Sequence, residues 1–193
     1  MEVPFFKPNI GQKEQENVLE VLCSGWLTTG KYVQEFERKF SEYIGVEHCV
    51  ALNSATAALH LSVVISGIKP GDYVLVPTMT FASTAEILYY CGIKPILVDC
   101  ELKDLSISVT DAKEKLLLAQ KEGKAVRGII PVHYAGKMVN MDIVEALAEE
   151  FDLKIIIQVN ECFFLNAITF RCDFYLITQF TIFIDIFCNF SRF

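Results

Sequence analysis

Apolar positions in residues 1–158 fall into unbroken short runs and spaced stripes that alternate along the chain. Val33, Phe36, Phe40 and Ile44 recur at the spacing of one helix face, and Gly45 follows where that helix would end. Apolar runs of strand length then appear at 48–52, 73–76, 96–98, 126–132 and 154–157. Helical patterns lie between and after them, at 57–66, 83–91, 111–121 and 142–151. Gly-Asp, Lys-Pro and Pro-Gly pairs punctuate the units, and Ser108 with Asp111 has the spacing of a capping box before the third of these helices. Strands that alternate with helices and read as continuous apolar runs predict an α/β fold, with a mostly parallel sheet covered on both faces. No internal repeat or flexible linker interrupts this stretch.

The pattern changes at residue 158. All ten Gly and all six Pro lie at or before Gly136, the last Lys is Lys154, and nine of the fifteen Phe fall in 159–193. A stretch of that length ordinarily holds about four Gly and Pro, the residues on which turns depend. Its apolar positions follow neither a period of 2 nor one of 3.6. A membrane span is disfavoured, because the longest stretch without a formal charge, 174–184, is well short of the roughly 20 residues a span needs. Two readings of the tail stand: a reading-frame shift near residue 158, or a divergent authentic end. The expected organisation is an incomplete α/β domain at 1–158 followed by an aberrant apolar tail at 159–193.

Charge and cysteine content narrow the partners. A net charge of -7 disfavours nucleic acid and anionic membranes, which need clustered Lys and Arg. Seven Cys without a C-x-x-C pair indicate neither a zinc ribbon nor a disulfide framework, and point to a reducing compartment. Residues 1–7 lack the apolar core of a secretory signal, so the expected location is cytoplasmic.

In an open parallel sheet, ligands gather outside the carboxyl ends of the strands. After the 48–52 run comes Asn53-Ser54-Ala55-Thr56-Ala57-Ala58, opening a helix. Small side chains, two hydroxyls and the helix dipole suit an anion such as phosphate, while an N-cap Ser followed by good helix formers explains the same residues without a ligand. After the 73–76 run, Phe81 is placed to stack on a flat heterocycle or to serve as core. His133, after the 126–132 run, is placed for a cofactor or substrate contact or for a bond to the backbone. Neither G-x-G-x-x-G nor G-x-x-x-x-G-K-[ST] occurs, which disfavours dinucleotides and nucleoside triphosphates.

Four ordered segments carry a resemblance: Ser24-Gly25-Trp26-Leu27-Thr28-Thr29-Gly30, Asn53-Ser54-Ala55-Thr56-Ala57-Ala58-Leu59-His60, Pro77-Thr78-Met79-Thr80-Phe81-Ala82-Ser83-Thr84-Ala85, and Pro131-Val132-His133-Tyr134-Ala135-Gly136. Together they resemble the DegT/StrS family of sugar aminotransferases, from about residue 4 to residue 157, which is about the first two fifths of a family member. The resemblance implies the large domain of the aspartate-aminotransferase fold (fold type I), here truncated, with pyridoxal phosphate as cofactor. It implies amino transfer, commonly from glutamate, to a nucleotide-linked keto-sugar in polysaccharide-type biosynthesis, usually by a homodimer. It further implies that Ala55 and Thr56, with Ser54 nearby, hold the cofactor phosphate and that Phe81 stacks on the ring. His133 and Tyr134 would lie near the cofactor, and Gly25, Trp26, Leu27 and Thr28 would face the sugar.

The chain departs from the family where the chemistry is done. The family continues its fifth strand with a motif like E-D-A-A-H-A, whose Asp keeps the ring nitrogen protonated so that the ring acts as an electron sink. Here Gln158-Val159-Asn160-Glu161-Cys162 follows, with Val159 in the Asp register. The Schiff-base Lys of the family lies farther on, and no Lys follows Lys154. Lys154 itself opens a strand at the end away from the ligand edge, so no catalytic residue is assigned. The expectation is a chain of aminotransferase descent without turnover; the alternative is a non-catalytic piece that binds a nucleotide-sugar or a full-length homologue.

Overall fold

The computed structural model of the chain describes residues 10–160 and the backbone of 175–179. The remainder of the apolar tail, at 161–174 and 180–193, and the first nine residues lie outside the described residues. Two compact units divide the chain, with the boundary between Asn53 and Ser54.

The first unit holds α1 (Gln12–Ser24) and α2 (Lys31–Ile44). Glycines close both helices in the left-handed conformation, Gly25 at φ 71° and Gly45 at φ 79°, as the pattern around Gly45 predicts. The expected strand at 48–52 is not formed: these residues are irregular, Val50 is exposed, and the Ala51 N–H donates to the Glu37 carboxylate at 2.8 Å. Strand composition is not enough without a neighbouring strand, and none among the described residues pairs with this segment.

The second unit is built from α3 (Ala55–Ile65), β1 (Tyr73–Pro77), α4 (Ser83–Tyr90), β2 (Lys94–Val98), α5 (Val109–Lys121), β3 (Val126–Ile129), β4 (Val132–His133), a 3-10 turn at Tyr134–Gly136, α6 (Met141–Phe151), β5 (Lys154–Asn160) and β6 (Tyr175–Gln179). Every strand pairing is parallel, in the order β2-β1-β3-β5, with β4 and β6 also on β5. The α/β architecture with a mostly parallel sheet, short of the full aminotransferase domain, is therefore present.

The single strand expected at 126–132 is broken in two. Gly128 and Ile129 pair with Lys154 and Ile155, then Val132 and His133 pair with Gln158 and Val159 in the same register offset. Pro131 has no N–H to give the ladder, so the chain leaves it for two residues while the Pro131 carbonyl still accepts from the Gln158 N–H at 3.0 Å. Beyond the strands that the sequence predicts, β6 pairs with Ile156 through Asn160 of β5, and its backbone satisfies that edge.

Alternation along the buried strands sorts the core into two layers. Leu75, Val98, Ile129, Ile155, Ile157 and Val159 pack with Ala112 and Leu116 of α5 and Val144, Leu147 and Ala148 of α6. Val74, Val76, Ile130 and Ile156 pack on the other face with Leu59 and Val63 of α3 and Ile87 and Leu88 of α4. Gly128 lets β3 pass close: a Cβ there would stand 2.8 Å from Ile68 Cδ1 and 3.2 Å from the Lys154 carbonyl oxygen. Among the described residues no helix is long and apolar enough to cross a membrane.

Candidate cofactor site

The helices α3 and α4 pack together on one face of the sheet. Ser54 caps α3 in extended conformation (φ -162°, ψ 154°), and its Oγ accepts from the Ala57 N–H at 3.1 Å. The capping role expected of Ser54 is thus made. It leaves the N–H groups of Ala55 and Thr56 in the first turn, where no helix carbonyl can accept them. With Thr56 exposed and Ala55 contributing only a methyl group, an anion can approach these N–H groups along the helix dipole.

The loop from β1 to α4 carries Phe81, whose ring is 65% exposed. An aromatic ring left in solvent at a ligand edge is available for stacking rather than committed to the core. The loop is held from both sides. Thr78 N–H continues the ladder to the Val98 carbonyl at 2.8 Å, and Met79 N–H donates to Cys100 Sγ at 3.3 Å. On the other side Thr80 Oγ1 and Thr84 Oγ1 are 2.8 Å apart, and the Thr84 hydroxyl donates to Gln158 Oε1 at 2.6 Å. Thr84 is wholly buried and Gln158 is 1% exposed. Since Thr84 gives its one proton to Gln158, Thr80 must be the donor to Thr84, and a directed chain runs from the loop to β5.

Residues Cys100, Thr80, Thr84 and Gln158 are absent from the site expected from sequence. A signal existed for three of them: Thr80 and Thr84 are four apart across a helix start, and Gln158 is a polar residue at the end of an apolar run.

His133 is on the opposite face of the sheet. It is paired in register with Val159, which belongs to the α5 and α6 layer, and the Val139 N–H donates to its Nδ1 at 3.2 Å. Burial pushes its pKa down to about 4, so the ring is neutral and carries its proton on Nε2, which has no partner among the described residues. Tyr134 follows in the 3-10 turn, at the border of exposure, and Ala135 takes a left-handed φ of 48°. Lys154 opens β5 at its amino end, opposite to Phe81 and His133.

Gly25, Trp26, Leu27 and Thr28 belong to the first unit, in the turn between α1 and α2. The Trp26 indole N–H donates to the Thr29 carbonyl at 2.9 Å and lies over Gly30, where a Cβ would come within 2.7 Å of the ring. Trp26 and Leu27 are exposed. A cavity of about 330 Å³ lies elsewhere, between the start of α5 and the start of α6, and is lined by Glu101, Asp104, Thr110 and Asn140 among others. None of the residues expected from sequence lines it. Among the described residues no group of His, Cys, Asp and Glu is arranged to hold a metal ion.

Comparison with known proteins bears on this edge. The model of the DegT/DnrJ/EryC1/StrS aminotransferase family matches residues 8–163, extending past residue 157, where the sequence resemblance was expected to stop. The spore coat polysaccharide biosynthesis protein SpsC of Bacillus subtilis (strain 168) is 36% identical over 154 residues, which are 80% of this chain and 38% of that protein. A crystal structure of a DegT DnrJ EryC1 StrS aminotransferase from Brucella abortus superposes with a TM-score of 0.73 at 34% identity, covering 76% of this chain and 39% of that one. NtdA from Bacillus subtilis, solved with bound cofactor PMP, gives 0.69 at 30% identity, covering 77% of this chain and 34% of its own. This chain therefore spans about two fifths of the length of the relatives it matches.

Proposed function

We propose that this chain, which belongs to the DegT/DnrJ/EryC1/StrS aminotransferase family, is the cofactor-seating part of a pyridoxal-phosphate-dependent sugar aminotransferase and binds its cofactor without turning over substrate. One observation carries the reading: α3, with its capped N-terminus, packs beside α4 on one face of the sheet, and the exposed Phe81 lies in the loop that leads into α4. An anion seat beside a stacking ring fits a phosphorylated heteroaromatic ring. When bound, such a cofactor supplies an electron sink for a proton lost from the amino-bearing carbon.

The residues serve binding and not the proton transfer. Ala55 and Thr56 hold the phosphate through backbone N–H groups, Phe81 covers the ring, and the Thr80 to Gln158 chain fixes the loop that carries Phe81. Transfer also needs an amine that links to the cofactor and moves the proton. The sequence has no Lys after Lys154, and Lys154 is at the far end of β5. The substrate by family would be a nucleotide-linked keto-sugar with an amino donor such as glutamate, met in part by Gly25, Trp26, Leu27, Thr28 and Tyr134. A neutral His133 near the strand end supports the loop before α6 rather than touching the cofactor.

Pyridoxamine 5′-phosphate needs no covalent link, so it is the probe of choice. Saturable binding by the full chain, followed by cofactor fluorescence, is expected. Ala55→Pro removes one N–H of the seat at a helix position that accepts Pro, after a residue already extended. Loss of a hydrogen bond to a charged group is worth about 1.5–3 kcal/mol, so binding should weaken roughly 10- to 100-fold. No amino transfer to a nucleotide keto-sugar should be detected. Turnover that disappears in Ala55→Pro, or binding indifferent to it, would overturn the reading.

A further inference from the structure

The outer edge of the sheet is β2, which pairs with β1 alone among the described strands. In a parallel strand the N–H and C=O of one residue point to the same side, and successive residues alternate. The Lys94 N–H donates to the Asp72 carbonyl at 2.9 Å and the Val98 carbonyl accepts from the Thr78 N–H at 2.8 Å, so Lys94, Ile96 and Val98 face β1. Pro95, Leu97 and Asp99 therefore turn their backbone groups to the open side. Such a row is a template on which another chain can add a strand. Here most of it is filled from within. Pro95 has no N–H. The Leu97 carbonyl accepts from Lys115 Nζ at 2.6 Å, the Asp99 N–H donates to Asp111 Oδ2 at 2.7 Å, and the Asp99 carbonyl accepts from the Ser108 N–H at 2.8 Å. Lys115 and Asp111 are one turn apart on α5 and bridge each other at 2.8 Å. Two outward groups remain among the described residues, the Pro95 carbonyl and the Leu97 N–H.

We infer that Asp111 and Lys115 are an edge guard, which keeps β2 from pairing with β2 of a second copy of this chain. The guard is independent of the cofactor reading above. A second copy is the occupant because the two groups left open are self-complementary. In an antiparallel pair about a two-fold axis at Ile96, Leu97 of each copy lies opposite Pro95 of the other, and each Leu97 N–H meets a Pro95 carbonyl. The same approach sets each Pro95 ring against the opposite Leu97 carbonyl, the place that Lys115 Nζ holds in the single chain. The ammonium must leave both that carbonyl and the Asp111 carboxylate before two edges can join. A charged group that must give up two partners is a barrier to strand addition, as Lys and Pro on an edge are in general. On the other flank of the sheet β6 already covers β5. The guard therefore stands at the edge that no strand covers.

The test follows hydrogen exchange at the Leu97 amide of the full chain at rising protein concentration. It compares wild type with Lys115→Met, which keeps an apolar stem and removes the charge. Lys113→Met is the control, because Lys113 lies on the same helix and loses its ion pair with Glu150 without touching β2. In wild type the Leu97 N–H faces solvent and should exchange freely. In Lys115→Met it should become protected as copies pair, at a concentration roughly 10- to 100-fold below any that protects it in wild type, the worth of a hydrogen bond from a charged donor. Lys113→Met should match wild type. Exchange at Leu97 reads this edge alone, so association through another surface leaves the amide unprotected and is not mistaken for pairing at β2. Equal protection in wild type and Lys115→Met at one concentration would overturn the guard. So would a Leu97 amide that stays unprotected in Lys115→Met throughout, or one that Lys113→Met protects as well.

Discussion

Acid should destabilise this fold through His133, over a pH window that the structure sets. The ring is 1% exposed, its Nδ1 accepts from the Val139 N–H, and burial lowers its pKa from 6.5 to about 4. Protonation would place a second hydrogen on Nδ1, facing a donor, so charging the ring costs both desolvation and that bond. The unfolded chain takes up the proton near pH 6.5 and the folded chain only near 4. Between those values the unfolded state binds more protons, so stability is full above the window and falls as pH is lowered through it. The whole shift corresponds to about 3 kcal/mol, of which about 2 kcal/mol is lost by pH 5. Urea unfolding of wild type and His133→Asn from pH 8 to pH 5 measures it, since Asn can accept from Val139 without titrating. Carboxylates such as Asp104, held low by hydrogen bonds from Ser106, titrate in both proteins and cancel in the difference. The wild-type advantage should shrink by about 2 kcal/mol across this range. A difference that is flat with pH would mean that His133 is solvated or paired, and the reasoning fails.

Two further outcomes concern the other face of the sheet and its edge. Thr84→Val removes the hydroxyl between Thr80 and Gln158 and should cost about 1–3 kcal/mol in urea unfolding, with much of that recovered when Gln158→Leu is added; strictly additive costs would mean that the bond is not made. Ending the chain at residue 174 bares the β5 edge that β6 covers, so light scattering should show more aggregation than for the full chain, and equal scattering would refute the pairing.

Much of the second unit was legible because its signals are local. Helix starts at Ser54, Ser108 and Asn140 coincide with side-chain caps to the N–H two or three residues on. The expected helices at 57–66, 83–91, 111–121 and 142–151 lie within two residues of α3, α4, α5 and α6 at each end. What failed were two segments whose state is decided by the presence of a partner. Residues 48–52 have the composition of a strand and no edge to pair with, whereas β6, in a tail that looks unlike folded sequence, finds the outer edge of β5. Ladder hydrogen bonds are supplied by neighbours remote in sequence, so composition alone decides neither case.

The same asymmetry explains which half of the site could be read. The proposed anion seat on the α3 N-terminus would be made by consecutive residues, so Ser54, Ala55 and Thr56 suffice to suggest it. The Thr80–Thr84–Gln158 chain is assembled from α4, the loop before it and β5, with the Thr84 to Gln158 contact spanning 74 residues. A parallel strand buried on both faces gives no polar and apolar alternation to tell its faces apart. Lys154-Ile155-Ile156-Ile157-Gln158-Val159 is such a strand, and a shift of one residue exchanges the side that meets α4 for the side that meets α6. Val159, in the Asp register by sequence, packs in the layer under α5 and α6, whereas its neighbour Gln158 meets Thr84 of α4.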